Sequence, residues 1–233
     1  MTEFTTWRSL VDGNEIVAIP DGVVDNFEDA DADPPGVYED GETIADYYGG
    51  DTGQFSRTTD EVETGVKSLD INVSSNSLII STSGLNSYPE KGDIFEVYGY
   101  HDGDGVILIY FGAPNEAGWG DDSGYRMYTR NDDNRMRIER SDNGSITTLA
   151  EDDNASIPSN EWLRFRCEWH DGTGAESDNE IVFELYDESG TEISKLSVND
   201  DSYADDTGIG FGSFNSNEQF YVDEFHVIGH VSD

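Results

Sequence analysis

"YRMYTRNDDNRMRIER", residues 125–140, gathers five arginines in a chain that holds 12 basic residues against 51 acidic ones. Folded about a tight turn at Asp132 and Asp133, the stretch becomes a β-hairpin. Its register sets Arg130 opposite Arg135, Tyr128 opposite Arg137 and Arg126 opposite Glu139, all on one face. The other face carries Tyr125, Met127, Thr129, Met136, Ile138 and Arg140, which is apolar enough to lie on a core. The arginine face must then point outward or into a groove.

The same texture continues on both sides of the hairpin. Runs such as "KSLDINVSS", "SLIISTS", "DIFEVYGYH", "GVILIYFG", "SITTLAE", "WLRFRCEW", "EIVFELYD", "EISKLSV", "GIGFGSF" and "QFYVDEFHVIG" are each bounded by Gly, Asn, Asp or Ser. Counted with the hairpin they make about a dozen strands, spaced as in an all-β sandwich or barrel, and no amphipathic helix competes. Residues 1–24 read differently. Trp7, Leu10, Val11, Ile16, Val17 and Ile19 lack the strand pattern, and the acidic run "DNFEDADADPP" follows. We therefore divide the chain into an attachment or assembly segment, 1–24, and a sandwich domain, 25–233.

With 233 residues, 35% of them hydrophobic and 12% aromatic, the chain can bury a real core. Its formal net charge of −39 is spread over nearly every segment, which argues against an acidic disordered tail. Arginine outnumbers lysine nine to three. A dispersed acidic surface poor in lysine resembles that of proteins from salt-loving archaea, where concentrated salt screens self-repulsion. Such a surface repels phosphates, so nucleic acid is not an expected partner. No apolar run is long enough to insert in a membrane, and the first residues show no signal-sequence pattern. Cys167 is the only cysteine and shares a strand face with Leu163, Phe165 and Trp169, which predicts a buried, inert thiol.

From "DNFEDAD" through "YYGGDTGQFSRT", "GYRMYTR", "RMRIER", "EWLRFRCEW" and "GIGFGSF" to "YVDEFHVIG", the chain resembles the concanavalin A-like (laminin G-like) jelly-roll domains. The resemblance implies an all-β fold of two packed antiparallel sheets, one concave, with a bias towards glycan binding. It also implies a structural Ca²⁺ that ties the first strand to the last, on Glu28, Asp29 and Asp223; Glu224 stands where the family pattern has a second aspartate. The segment "TTWRSLVDGNEIVAIPDG" resembles the leader segments of structural proteins in tailed viruses of haloarchaea. Together these imply a non-enzymatic virion surface protein, whether turret, decoration or tail fibre. It would join its homo-oligomer and other virion proteins through residues 1–24 and present the sandwich to a host cell-surface glycan.

Arg126, Tyr128 and Arg137 are the candidate ligands for an acidic or sulfated sugar, since a planar cation beside a tyrosine offers bidentate hydrogen bonds and stacking. The alternative is that these arginines pair with carboxylates on neighbouring strands. Trp119 lies in the Gly-rich loop "FGAPNEAGWGDDSG", where it can stack on a sugar or fold back over the sandwich edge. "ESDNE", residues 176–180, has the E-x-D-x-E spacing of laminarinase-type glycosidases on this fold. Its surroundings are loop-like, so no catalytic residue is assigned. A glycoside hydrolase and a cellular carbohydrate-binding adhesin remain the competing readings.

Overall fold

Two antiparallel sheets form the sandwich that the alternating runs predict. The computed structural model describes residues 8–11, 14–17, 22–32, 35–72, 75–171, 180–214 and 219–230. The first strands are β1 (Arg8–Val11), β2 (Asn14–Val17), β3 (Val23–Asp25), β4 (Gly49–Gly50) and β5 (Phe55–Thr58), with one helical turn, α1 (Ile44–Tyr47), before β4. There follow β6 (Ser68–Asn72), β7 (Ser77–Ser81), β8 (Asp93–Asp102), β9 (Val106–Ala113), β10 (Gly124–Arg130), β11 (Arg135–Asp142) and β12 (Ser145–Asp152). The last are β13 (Trp162–Trp169), β14 (Glu180–Tyr186), β15 (Glu192–Asn199), β16 (Gly208–Ser213) and β17 (Gln219–His230).

One sheet runs β12-β11-β10-β9-β16-β7-β4 and the other β15-β14-β13-β8-β17-β6-β5, with β3 also paired to β17. Every run read as a strand in the sequence is one. The hairpin has the expected register, Arg126 opposite Glu139, Tyr128 opposite Arg137 and Arg130 opposite Arg135. Tyr125, Met127, Thr129, Met136 and Ile138 are buried on the inner face. They meet Phe111, Phe165, Phe183 and Trp169 between the sheets. Cys167 is fully buried there, and burial pushes its thiol well above the ordinary value.

Two elements depart from the reading. Residues 8–11 and 14–17, expected to lack strand character, form a two-stranded sheet of their own, β1 with β2. The expected boundary at 24/25 falls inside β3, whose Val23 and Val24 are buried and whose pairing with β17 makes them part of the sandwich. Two adjacent β-branched residues favour an extended backbone, and the apolar corner beside β17 accepts them.

β9 is buried along its whole length. Ile107, Ile109 and Phe111 face the main core, whereas Val106, Leu108 and Tyr110 belong to a second apolar cluster with Leu78, Ile80 and Tyr128, against which Trp119 and Phe214 pack. An unbroken apolar run is what a strand covered on both faces requires. β11 and β12 are joined by a tight turn whose Asn143 and Gly144 both take positive φ, 48° and 75°. A Cβ on Gly144 would lie 2.1 Å from the carbonyl oxygen of Gly120, so only glycine fits. A bulge at Leu149 interrupts the β11–β12 register.

Candidate functional site

The outer face of the seven-stranded sheet carries the residues that the sequence singled out. Side chains alternate along a strand, so with Tyr125, Met127 and Thr129 inside, Arg126, Tyr128 and Arg130 point out. Arg126 is only 4% exposed. It donates through Nε to Glu139 at 2.6 Å and through Nη1 to the Tyr110 hydroxyl at 3.0 Å, and Tyr110 in turn donates to Asp122 at 2.8 Å. Arg126, expected to meet a ligand, is held by these two partners. Its guanidinium is built into the sheet surface, and pairing with a neighbouring carboxylate is what occurs.

Arg137 is more open. Its guanidinium lies 5.5 Å from the centre of the Tyr128 ring and reaches Glu139 at 3.4 Å and Glu151 at 3.1 Å, while its buried Nε has no partner among the described residues. Tyr128 itself is 2% exposed, because Phe214 lies over it with ring centres 5.8 Å apart. Phe214 also meets Trp119 at 5.7 Å. The structure thus brings Trp119, Tyr128 and Arg137 into one row through Phe214, a residue the sequence reading passed over. Its only signal was a lone aromatic just past the end of a strand run.

Trp119 is half-buried. Its backbone N–H donates to Asp51 at 3.0 Å, and the same carboxylate oxygen accepts from Leu78 at 3.1 Å. Asp51 also lines a polar cleft of about 300 Å³ formed by residues 50–54 and 75–77. One carboxylate thus holds both the tryptophan loop and the cleft floor. A loop tryptophan tied by its backbone to a recess lined by amide, hydroxyl and glycine backbone groups suits a ligand with one apolar face and many hydroxyls.

The three expected metal ligands do not gather. Asp29 pairs with Arg57 at 2.5 Å and with Lys67. Burial alone would raise its carboxyl, but hydrogen bonds from Lys67 and Arg57 outweigh this and hold it low. Glu28 and Asp223 instead grip one loop: Glu28 Oε1 accepts the backbone N–H groups of Val66 and Lys67, and Asp223 Oδ2 those of Glu63 and Thr64. Gly65 in that loop has φ 74°, and a Cβ there would stand 2.3 Å from Glu28 Oε1. Among the described residues no group of three or more His, Cys, Asp or Glu is placed to hold a metal ion.

Two facts at this corner nevertheless fit a cation. Glu28 is 1% exposed, and among the described residues its Oε2 has no hydrogen-bond partner. Asp223 is pushed up to about 9, first by burial and then by the charge of Glu224. Glu224 is itself held low against its burial by His226 and Thr64. Hard oxygen donors of this kind suit Ca²⁺.

Of the E-x-D-x-E stretch, residues 176–179 lie outside the described residues; Glu180 opens β14. Among the described residues no helix is long and apolar enough to cross a membrane.

No protein-family model matches the sequence, and no curated protein matches it. Solved structures do. A Bacillus subtilis protein of unknown function with a galectin-like fold is similar with a TM-score of 0.52 at 13% identity, over 82% of this chain and 92% of that one. The exoplasmic/lumenal domain of VIP36, in a form bound to Ca²⁺ and Man3GlcNAc, gives 0.51 at 9% identity over 82% and 92%. The PL-14 alginate lyase of Aplysia kurodai gives 0.50 at 12% identity over 76% and 88%. At these identities the likeness is one of fold, and it makes the chain a jelly-roll β-sandwich of the concanavalin A-like kind.

Proposed function

We propose that the sandwich is a non-enzymatic glycan-binding module, with Trp119 as the stacking surface, the cleft beside Asp51 as the hydroxyl-reading pocket and Arg137 at the far end of the aromatic row. The observation that carries the reading is the half-exposed Trp119 whose backbone N–H is held by Asp51, a carboxylate that also lines a polar cleft. The glycan-bound state of the VIP36 domain supports it at the level of fold. The acidic composition and the character of residues 1–24 support a setting on the surface of a haloarchaeal virion, with the glycan on the host cell.

The test is binding to a panel of neutral and acidic glycans in molar KCl. Trp119→Ala is expected to weaken binding by about tenfold or more, as losing a stacked ring costs about 1–3 kcal/mol, while melting is little changed. Undiminished binding by a folded Trp119→Ala protein, or turnover of any bound glycan, would remove this reading.

We also propose that Glu28 and Asp223 hold a structural Ca²⁺, with Glu224 beside them and Asp29 left to Arg57 and Lys67. Bound there, the ion would neutralise the carboxylates that fasten the loop of residues 63–67 to β17.

A further inference from the structure

The scarce cations of this chain are not evenly used. Residues 124–153, which hold β10 to β12, contain five arginines against seven acids; the rest of the chain has seven basic residues against 44 acids. Within that block the arginines of β11 reach acids at and just beyond the two ends of β12. Arg140 meets Asp142 at 3.0 Å, Arg137 meets Glu151 at 3.1 Å and Arg135 meets Asp153 at 2.8 Å. Between those acids runs "NGSITTLA", residues 143–150, with no charge at all. Ser145 to Thr148 are exposed, Ile146 by 41%.

β12 is an edge strand. Among the described residues its sole strand partner is β11, so its other side presents backbone N–H and C=O groups. Beside it lies β15, the edge of the second sheet, tied to β12 by the Ser194 hydroxyl donating to Asp152 at 2.7 Å. β15 carries only Glu192 and Lys195, and Lys195 is paired to Glu184 at 2.7 Å. One side of the sandwich is therefore a nearly neutral wall with an open strand edge, on a molecule that elsewhere repels anything acidic.

We infer that this wall is where two copies of the chain meet, β12 of one adding antiparallel to β12 of the other. A basic partner would be drawn to the acid-rich remainder of the surface. A neutral wall selects a partner as acidic as the chain itself, because only there do two such surfaces approach without opposing carboxylates. The two-fold arrangement presents the same residues from both copies, so what is neutral on one is neutral on the other.

Sedimentation velocity of the full chain in molar KCl is expected to show a dimer. Ile146→Asp with Thr148→Asp, which puts like charges across the seam, should raise its dissociation constant by about tenfold or more with an unchanged circular-dichroism spectrum. Deletion of residues 1–21 should leave the dimer intact. Because the single native cysteine is buried, Thr147→Cys supplies one accessible thiol. Mild oxidation should then link two chains. A wild type that is monomeric at every concentration, a dimer untouched by the paired aspartates, or a dimer lost on deleting 1–21 would each overturn the inference.

Discussion

Glu139 and Asp223 are both carboxylates sunk into a sheet, and the molecule treats them in opposite ways. Glu139, 2% exposed, is held by Arg126 at 2.6 Å and approached by Arg137. Asp223, fully buried, receives among the described residues only backbone N–H groups and has the charge of Glu224 beside it. Burying an anion is costly whether or not it finds a partner. A chain with four times as many acids as bases cannot give each buried acid a guanidinium. Five of the nine arginines go to the β10–β11 hairpin, two serve β13 of the other sheet and Arg57 serves Asp29; among the described residues none pairs with Asp223, which is left to a proton or a metal ion.

The sharpest way to break this contrast is to take the cation from the paired site. Arg126→Ala leaves Glu139 buried beside Arg137 alone and is expected to cost about 3–5 kcal/mol in chemical denaturation. Arg126→Met with Glu139→Leu should recover most of it. A double variant as unstable as the single would mean that the shape of the site matters more than its charge.

Asp25 stands between the two extremes. It is fully buried and accepts from the hydroxyls of Tyr38 at 3.0 Å and Tyr48 at 2.7 Å and from the N–H of Phe27 at 2.8 Å. Burial still pushes it from 3.8 to about 6. The folded state therefore binds the proton more tightly than the unfolded one. The contribution is complete below pH 3.8 and is lost as pH rises through about 6. Asp25→Asn should remove about 3 kcal/mol of the fall in stability between pH 3.5 and 7, read as the difference between variant and wild type. Parallel pH profiles would show that the carboxyl titrates normally.

A smaller effect is expected from calcium. At a hundredfold excess over its dissociation constant, Ca²⁺ should stabilise the wild type by about 2.7 kcal/mol, and equal Mg²⁺ by less. Asp223→Asn should abolish the difference, and the Arg126 variants should keep it. A melting temperature indifferent to Ca²⁺ after chelation would leave protonation as the sole means of relieving that corner. The least effect belongs to the exposed pair of Arg135 with Asp153, where Arg135→Ala should cost below about 1 kcal/mol in stability.

How much of this was legible in the sequence depends on how local the signal is. The hairpin of residues 125–140 could be registered residue by residue, because a short loop and period-two alternation leave one pairing that puts Met127, Met136 and Ile138 together. Strands β3, β4 and β5 were not visible. They are two to four residues long, and β3 exists because β17 offers it a partner. Trp119 and Arg137 could be singled out from residue type and placement, whereas Phe214 could not, since only tertiary packing sets it between Trp119 and Tyr128. The partners of Arg126 and Asp29 were not legible. A sequence shows which face a residue takes, but not the carboxylate or the cation that waits for it across a strand.

The bulge at Leu149 sets how far the sheet can spread. An extra residue in an edge strand bends it and throws its outward groups out of step, so β12 offers an orderly edge only from Ser145 to Thr148. Fibre growth needs a long flat margin that each added molecule renews. Four residues between a tight turn and a kink renew nothing, and the −39 charge spread over the rest of the chain discourages stacking from any other direction. The same irregularity that leaves the margin open for a short seam therefore keeps it from becoming a template for aggregation.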